Sequence, residues 1–404
     1  MPVLAAEERG GAATGHRRAF EPEYLPYAAP DATVESGPAC ELIASFGPIE
    51  PEYAAIRRGA ALFDATFRGT LVVTGADRRD YLQRMVTQDL KRLDPTTAGG
   101  SLVRSFWLNR KGRIDADLVI AELGDRMIID LDRTRAAHAA QSLGSFLFSE
   151  DVRIEDRSAS MHRLELHGPA AARTLALAGA KSIPAADEAR HTEIAGIPVE
   201  LLRNDALGEH GWSIVVERDR VADLWDALLA VRDPHAERHR VRPIGWNAYN
   251  IARVEAGTPL FHIDFGTSNL PHETGVLRDR VSFRKGCYLG QEIVARMESL
   301  GKPKQTLVGL RPTSDLLPVA GAQVFLPPSG DAGSIGDQVG TVTSSTLAPM
   351  LGAVPIAFAM IRTASAAIGA TLLVNAEGAQ CEAVVTELRA WPPAAERAAA
   401  STQP

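Results

Sequence analysis

The feature that most constrains the fold is a change of pattern near residue 306. From about residue 46 up to that point, stretches with strand-like alternation are separated by stretches with apolar residues at helical spacing. Beyond it, short β-like runs separated by Gly, Pro and Ser continue to about residue 390. Mixed strands and helices are typical of α+β folds, and a series of short strands is typical of a small barrel or sandwich. The sequence therefore predicts an α+β region with mixed sheets at 46–305 and a small barrel or sandwich at 306–390.

The two ends of the chain differ from this central region. Residues 1–45 are rich in Ala, Gly, Pro and Glu with little periodicity, so we expect a partly ordered N-terminal arm. Residues 391–404 are predicted to form a disordered tail. Inside the α+β region, apolar residues recur at helical spacing from Pro51 to Phe63, which predicts a helix there. Another helix is predicted to begin at Gln291.

Composition excludes several classes of function. The net charge of −7 argues against a general nucleic-acid surface, which needs an excess of cations. No stretch approaches about 18 uninterrupted apolar residues, so the sequence predicts no membrane span. The N-terminus lacks the apolar stretch of a secretory signal, and the three cysteines form no disulfide framework. We therefore expect a reducing compartment, the cytoplasm.

One cysteine has an unusual neighbourhood. Cys287 is flanked by Gly286 and Gly290 and follows Arg284 and Lys285. Glycines let other atoms approach the backbone, and nearby cations or a helix N-terminus favour the thiolate over the thiol. A lone cysteine is otherwise most often a small buried hydrophobic residue, so a reactive thiol and core packing both stay open. No two cysteines have C-x-x-C spacing, and no metal site is predicted.

The sequence around this cysteine carries a family resemblance. The run KGCYLGQE at 285–292 resembles the K-G-C-[FY]-x-G-Q-E signature of YgfZ-type proteins, which are relatives of the glycine-cleavage T-protein, an aminomethyltransferase. The runs RVEAG at 253–257 and LPHE at 270–273 are similar to two further motifs of that family, and the similarity extends from about Tyr53 to Glu387. The resemblance implies a three-lobed, ring-like fold around a channel that admits tetrahydrofolate, with residues 306–390 as its C-terminal β-barrel. The motif residues are Lys285, Gly286, Cys287, Tyr288, Gly290, Gln291 and Glu292.

The same resemblance implies where a folate would bind. The run GEHGW at 208–212 is similar to the T-protein's G-E-x-G-[FY], in which the glutamate faces the pterin. A carboxylate suits that role because it can accept two parallel N–H bonds from an amino-pyrimidinone edge. Without the resemblance, Glu209 is an ordinary loop carboxylate. Asp117, Arg253 and Tyr288 are further candidate contacts of the folate.

Two departures from the T-protein pattern argue against aminomethyl transfer. The acidic pair of that protein corresponds to Ala116 and Asp117, and an asparagine of its next strand corresponds to Asp132. Strand alternation places Asp115 and Asp117 on one face and Ala116 on the other. A solvated strand face is therefore an alternative interpretation of the two aspartates.

These observations lead to one main hypothesis and two alternatives. The main hypothesis is a tetrahydrofolate-binding protein that supports assembly or repair of iron–sulfur clusters in client enzymes through Cys287. The resemblance implies this role, and a soft thiolate can bind iron or exchange sulfur. One cysteine cannot hold a cluster alone, so ligation would be transient or shared with a partner. The alternatives are a folate-dependent aminomethyltransferase or demethylase, and a binding module in which folate is only structural.

Overall fold

The computed structural model describes residues 22–30, 39–93, 100–235, 240–328 and 336–401. Within these residues the backbone forms two α+β lobes and a closed six-stranded barrel. The predicted fold class, α+β with mixed sheets and a C-terminal β-barrel, is confirmed. Among the described residues, no helix combines the length and the apolar character that a membrane crossing requires.

The described part of the N-terminal arm is a short antiparallel pair. Its strands are β1 (Glu23–Tyr27) and β2 (Cys40–Ser45). Residues 1–21 and 31–38 of the predicted arm lie outside the described residues. The side chains of Tyr27, Cys40 and Leu42 are buried against the first lobe, so this pair belongs to the folded body.

The first lobe is a mixed sheet with helices on both faces. The strands are β3 (Ala60–Asp64), β9 (Met161–His167), β10 (Ala189–Ile194), β11 (Ile197–Arg203), β12 (Gly211–Glu217) and β13 (Val241–Ile244). The helices are α1 (Ile49–Arg58), α4 (Ala171–Leu177), α5 (Val221–Ala230) and α6 (Trp246–Ala256). The strand order is β10-β11-β12-β9-β3-β13, in which β13 runs parallel to β3 and the other pairs are antiparallel. Helices α4 and α5 cover one face, where Leu175 and Leu224 are buried, and α1 and α6 cover the other, where Ile56 and Tyr249 are buried.

The second lobe is inserted between β3 and β9. Its antiparallel sheet contains β4 (Arg68–Thr74), β5 (Ser101–Leu108), β6 (Ile114–Glu122), β7 (Met127–Asp132) and β8 (Arg153–Asp156), in the order β5-β6-β7-β4-β8. Helices α2 (Arg78–Met85) and α3 (Ala136–Gly144) pack on one face. Strand β6 shows how the alternation positions a site: Ala116, Leu118 and Ile120 enter this core, while Asp117 and Val119 lie on the opposite face.

The barrel follows a short helical connection. The helices of that connection are α7 (Leu277–Arg280) and α8 (Gln291–Leu300), which begins at the predicted residue. The barrel strands are β14 (Gln305–Pro312), β15 (Gln323–Phe325), β16 (Gln338–Ala348), β17 (Val354–Arg362), β18 (Thr371–Ala376) and β19 (Ala379–Thr386). They close in the order β14-β17-β16-β15-β18-β19, with alternate apolar residues filling the interior.

Two expectations about local structure are corrected. The helix predicted from Pro51 to Phe63 ends at Arg58, and β3 begins at Ala60. Every residue of β3 is buried and the strand pairs on both sides, so burial in the sheet overrides the helical spacing. The predicted disordered tail contains a ninth helix, α9 (Ala394–Ser401), which the Ala-rich composition favours; residues 402–404 lie outside the described residues.

Candidate functional site

A polar cavity lies between the sheets of the two α+β lobes. Its volume is about 350 Å³. Strands β6, β7 and β4 of the second lobe and β9, β11 and β12 of the first contribute to its wall, together with α6 and α7. The charged residues most important for its chemistry are Arg68, Asp117, Asp130, Arg163, Glu165 and Arg280. A concave site with converging polar groups between two lobes is where a small ligand is expected to bind.

Asp117 presents a carboxylate at the cavity wall. Its Oδ1 accepts a hydrogen bond from Arg280 Nε at 2.8 Å. Arg280 is itself held because Thr87 Oγ1 donates to its carbonyl at 2.7 Å. Ala116 lies on the other face of the strand, fully buried in the core of the second lobe, as alternation predicts. The carboxylate is therefore fixed in position, and a role as folate contact stays a prediction.

Asp130 joins two arginines across the lobe boundary. It accepts from Arg68 Nε at 3.0 Å and from Arg68 Nη2 at 2.7 Å, and it also pairs with Arg163 Nη1. Nε and Nη2 of Arg163 are buried and have no hydrogen-bond partner among the described residues. Burial lowers the pKa of the Arg163 guanidinium. The two unpaired N–H groups form one edge of the guanidinium, which matches a ligand group with two acceptors.

Glu165 and Tyr249 form a second polar pair of the wall. Glu165 Oε2 lies 2.9 Å from His167 Nε2, and the Tyr249 hydroxyl is hydrogen-bonded to Glu165. The Tyr249 ring stacks on Phe63 with 4.4 Å between centroids. Burial first and the Glu165 charge second raise the pKa of Tyr249, so its hydroxyl stays protonated. The pair thus supplies a fixed carboxylate and a neutral hydroxyl.

Of the cavity residues described above, sequence reasoning identified Asp117 and missed Arg68, Asp130, Arg163, Glu165, Tyr249 and Arg280. A signal exists in β9, where Arg163 and Glu165 alternate with the buried Leu164 and Leu166. A strand that is apolar on one face and charged on the other, within a buried sheet, indicates a polar interior surface. Tyr249 has no comparable signal, because its position follows from the packing of α6.

Glu209 lies in the loop between β11 and β12 and is engaged by protein groups. Its two carboxylate oxygens accept from Arg397 Nη2 at 2.6 and 2.7 Å, and Arg57 Nη1 lies 3.4 Å from Oε1. The residue is 3% exposed. It does not line the cavity, although residues 204–206 of the same loop do. Direct pterin contact by Glu209 stays a prediction.

Arg253 connects α6 to the barrel. Its guanidinium is fully buried, donating to Asp264 Oδ2 at 2.8 Å and to Ser344 Oγ at 2.7 Å. Asp264 Oδ1 also accepts from the hydroxyls of Thr343 and Ser344. These contacts join three segments of the fold at a position outside the cavity wall. A folate contact by Arg253 stays a prediction.

Cys287 is exposed on the surface, whereas Lys285, two residues before it, is buried. Lys285 Nζ donates to the carbonyls of Gln83, Val86 and Gln88 at 2.6, 2.5 and 3.0 Å. Burial lowers the pKa of Lys285 to about 8. The expected support of a Cys287 thiolate by Lys285 therefore needs correction, because this ammonium caps the C-terminal end of α2 instead. A reactive Cys287 thiol stays a prediction.

The other motif residues shape the segment locally. Gly290 has a φ of +79°, and a Cβ there would lie 2.8 Å from the Asn109 carbonyl, so glycine is required. Gln291 Oε1 accepts from the Tyr288 amide at 3.3 Å. The Tyr288 ring is 7% exposed and lies 5.3 Å from Lys285 Nζ. Space around Gly286 is open, and Glu292 is exposed. The motif does not line the cavity described above.

The sequence matches two family models of known proteins. Residues 26–285 match the GCVT N-terminal domain, and residues 305–390 match the glycine cleavage T-protein C-terminal barrel domain. The chain belongs to the glycine cleavage T-protein family. The two matched segments of this T-protein family correspond to the paired lobes and the barrel.

Individual relatives cover nearly the whole chain. An aminomethyltransferase of Geobacillus kaustophilus is 29% identical over 367 residues, which span 88% of this chain and 93% of the relative. An aminomethyltransferase of Geobacillus thermodenitrificans is 28% identical over 375 residues, which span 90% of this chain and 95% of the relative. The crystal structure of the glycine cleavage system aminomethyltransferase T from Bartonella henselae has a TM-score of 0.75 at 21% identity and covers 97% of this chain and 98% of that one. That structure shows that the two chains share the T-protein fold.

Proposed function

We propose that the chain binds tetrahydrofolate, or a one-carbon derivative of it, in the cavity between the lobes and acts in folate-dependent aminomethyl transfer. The observation that carries this proposal is Asp117, a carboxylate fixed at the cavity wall. The full-length similarity to aminomethyltransferases supports the same reaction class.

The polar groups of the cavity fit a reduced folate. A volume of about 350 Å³ is within the range of small-molecule sites. The pterin carries N–H donors that carboxylates such as Asp117 and Glu165 accept, and the glutamate tail carries carboxylates that arginines bind. The Arg163 donor edge, which has no partner among the described residues, would gain one on binding. Leaving such donors unpaired costs free energy, so the cavity favours a ligand with acceptor groups.

The two departures that argue against aminomethyl transfer lie away from the cavity wall. Ala116 is part of the apolar core, and an acid there would point away from the ligand. Asp132 accepts from the Tyr27 hydroxyl and from the Thr134 amide, the latter at 2.9 Å. Asp117 remains as the cavity carboxylate, and a fixed negative charge stabilises positive charge that develops on the transferred group.

Two measurements test this proposal. Calorimetry with tetrahydrofolate should show saturable binding, and the purified protein should support a reconstituted glycine-cleavage reaction that lacks its own T-protein. Turnover should fall in Asp117→Asn while the variant keeps its thermal unfolding temperature. If wild-type protein shows neither binding nor turnover, the proposal is wrong. Binding without turnover would favour the second candidate below.

The second candidate function is favoured by the position of Cys287. The thiol is exposed within the eight-residue run that resembles YgfZ-type proteins, so a partner protein can reach it. In this candidate function, a folate-bound protein supports assembly or repair of iron–sulfur clusters in client enzymes. The thiolate would bind iron or exchange sulfur transiently, with the remaining ligands supplied by the client.

Complementation separates the two candidates. A strain without the gene should lose activity of several iron–sulfur enzymes, and wild-type protein should restore it. Under the second candidate Cys287→Ser fails to restore activity, while Asp117→Asn restores at least part of it. Under the first candidate, iron–sulfur enzyme activity does not depend on the gene, and glycine cleavage is restored by Cys287→Ser but not by Asp117→Asn. If Cys287→Ser fully restores iron–sulfur enzyme activity, the thiol is not required for that function.

A further inference from the structure

We infer that the C-terminal helix α9 is an internal competitor of the ligand. Arg397 of this helix occupies the carboxylate of Glu209, and a folate must displace α9 before its pterin ring can use that carboxylate. The inference rests on the proposed function and deepens it, because it concerns how access to the same folate site is regulated.

The carboxylate of Glu209 is occupied by a group that resembles one edge of a pterin. Both of its oxygens accept from Arg397 Nη2, at 2.6 and 2.7 Å, and the Glu209 side chain is 3% exposed. A guanidinium and an amino-pyrimidinone edge both offer coplanar N–H donors to a carboxylate. Because the carboxylate is buried while Arg397 is in place, a second donor reaches it only after Arg397 leaves.

The loop that carries Glu209 keeps other contacts when α9 leaves. Arg57 Nη1 donates to the Leu207 carbonyl at 2.6 Å, and Thr258 Oγ1 donates to the Ala206 carbonyl at 2.7 Å. Arg57 Nη1 also lies 3.4 Å from Glu209 Oε1, so the carboxylate keeps one cation without the helix. Release of α9 would therefore uncover a formed carboxylate site and leave the loop folded.

The tail that leads to α9 runs along the edge of the cavity. Residues 204–206, which belong to the loop of Glu209, and Gly257 both line the cavity wall. A Cβ at Gly257 would lie 2.6 Å from the Cα of Arg389, so the tail passes directly against this part of the wall. A ligand that extends from the cavity to Glu209 would therefore meet the tail.

The attachment of α9 is polar and easily displaced. No side chain described between residues 391 and 399 is buried as a whole, and an isolated helix of this length is unstable in water. The helix is attached where the Ala394 amide donates to the Gly208 carbonyl at 2.9 Å and where Arg397 binds Glu209. The docked tail also leaves Trp391 Nε1 buried with no hydrogen-bond partner among the described residues, which is unfavourable. A ligand group that binds the carboxylate can therefore replace the helix.

Removal of Arg397 tests the competition. Arg397→Gln should strengthen tetrahydrofolate binding by about tenfold, the low end for loss of a charged hydrogen bond, because the competing helix loses its main contact. A reduced pterin without the glutamate tail should gain by a similar factor, since the competition concerns the ring. Glu209→Gln should weaken binding, and Arg397→Gln added to it should bring no gain, because both changes act on one carboxylate. Equal or weaker tetrahydrofolate binding by Arg397→Gln than by wild type would overturn the inference.

The control variants come from the same tail. Arg389→Gln removes an exposed ion pair with Glu396 and should bind like wild type. Arg397→Lys keeps the charge but loses the planar guanidinium, so its affinity should lie between those of wild type and Arg397→Gln. Calorimetry measures the affinities, and thermal unfolding checks that each variant is folded. If Arg389→Gln strengthens binding as much as Arg397→Gln does, the gain comes from the charge of the tail and the inference is wrong.

Amide hydrogen exchange follows the helix directly. Saturating tetrahydrofolate should speed exchange of residues 394–401 in wild-type protein, because the ligand releases α9, and should slow exchange of residues 204–210. Slower exchange of both segments would mean that the ligand binds with α9 in place, which contradicts the inference. If neither wild type nor Arg397→Gln binds tetrahydrofolate, the proposed function is wrong and the inference fails with it. If both bind with equal affinity, the proposed folate site stands and only the inference fails.

Discussion

The cavity and the Cys287 segment are built in opposite ways. The cavity wall draws on residues from Phe67 to Arg280, contributed by strands and helices of both lobes, and its carboxylates Asp117 and Asp130 are held by arginines. The Cys287 segment consists of consecutive residues, among which Lys285 and Tyr288 are buried and the cysteine itself is exposed. The first region therefore depends on the whole fold, whereas the second depends on a local turn and the start of α8.

The segment that is easiest to recognise in the sequence is therefore not the one that holds most of the charged groups. The conspicuous run at 285–292 contains several residues whose contacts are structural, since Lys285 caps α2 and Gly290 fits against the 109–112 turn. The cavity has no contiguous motif, yet it holds the fixed carboxylates and the guanidinium edge of Arg163, which has no partner in the part of the chain that the structure describes. If both regions serve one function, perturbing either should affect it. If they serve different functions, their variants should be independent, and the following predictions test this.

The largest expected effect is on transfer in Asp117→Asn. Loss of one fixed charge aimed at a reacting group typically reduces turnover about 10²- to 10³-fold, and we expect a decrease of that order. The reason is that an amide is neutral and cannot stabilise positive charge as the carboxylate does. Turnover in the reconstituted glycine-cleavage reaction, compared with tetrahydrofolate affinity, is the measurement.

Asp115→Asn is the matched control on the same strand face. Asp115 lies outside the cavity wall, with its Oδ1 at 3.9 Å from Arg135 Nη2 and its Oδ2 at 3.5 Å from His138 Nε2. Turnover in this variant should stay within about threefold of wild type, because the ion pairs of Asp115 are long, partly exposed and outside the cavity wall. Equal losses in the two variants would contradict the assignment of the reaction to the cavity.

The sequence predicts the elements of the fold better than it predicts the cavity. Periodicity correctly indicates a mixture of strands and helices up to about residue 305, the start of α8 and the series of short strands that follows. It fails from Ala60 to Phe63, where a run compatible with a helix is buried as a central strand. The spacing of nearby residues carries no information about β9 and β13, the two strands that pair with β3 and that follow it by about 100 or more residues.

The same limit explains the missed site residues. Arg163 and Asp130 meet only because the second lobe is inserted between β3 and β9, so their pairing has no local signature. Glu209 was recognisable from its loop, but its partner Arg397 lies in a tail that composition marks as disordered. A motif indicates the residue type at a position; the contacts of that residue depend on distant segments.

A second prediction tests the orientation of β6. Ala116→Asp should destabilise the protein by about 2–3 kcal/mol, because the new carboxyl group lies in the apolar core of the second lobe. We expect the midpoint of thermal unfolding to fall by several degrees and turnover of the remaining folded protein to stay unchanged. Val119→Asp, which adds the same group on the cavity face, is the control and should destabilise less. Higher turnover in Ala116→Asp would instead mean that this position reaches the ligand.

A third prediction concerns Lys285 and pH. Lys285→Met should destabilise by about 1–3 kcal/mol at neutral pH, because three carbonyls at the end of α2 lose a charged donor. Burial holds the pKa of Lys285 at about 8 in the folded protein, against 10.5 for the unperturbed group. The unfolded state therefore binds more protons between these two values, and wild-type stability should rise relative to the variant as pH increases through this window.

Thermal unfolding between pH 7 and pH 10, recorded for both proteins, measures the difference. Lys302→Met changes an exposed lysine near the same segment and should show no such pH dependence. A constant difference between wild type and Lys285→Met across this range would mean that Lys285 keeps its proton in both states.

The smallest expected effect is that of Cys287→Ser on folate affinity, and this result sharpens the comparison most. The thiol is exposed and lies outside the cavity wall, and serine is nearly the same size, so affinity should change less than about twofold, or 0.4 kcal/mol. In folded wild-type protein an alkylating reagent should label Cys287 rapidly, while Cys40 and Cys381, which are 4% and 7% exposed, should react only on unfolding. An affinity loss of tenfold or more would mean that the two regions are coupled, for example through the hydrogen bonds that join Lys285 to Gln88 and Gln88 to the Asp279 carbonyl. If affinity is unchanged and Cys287→Ser fails to restore iron–sulfur enzyme activity, the thiol acts with a partner protein. That role would then not depend on the folate affinity of the cavity.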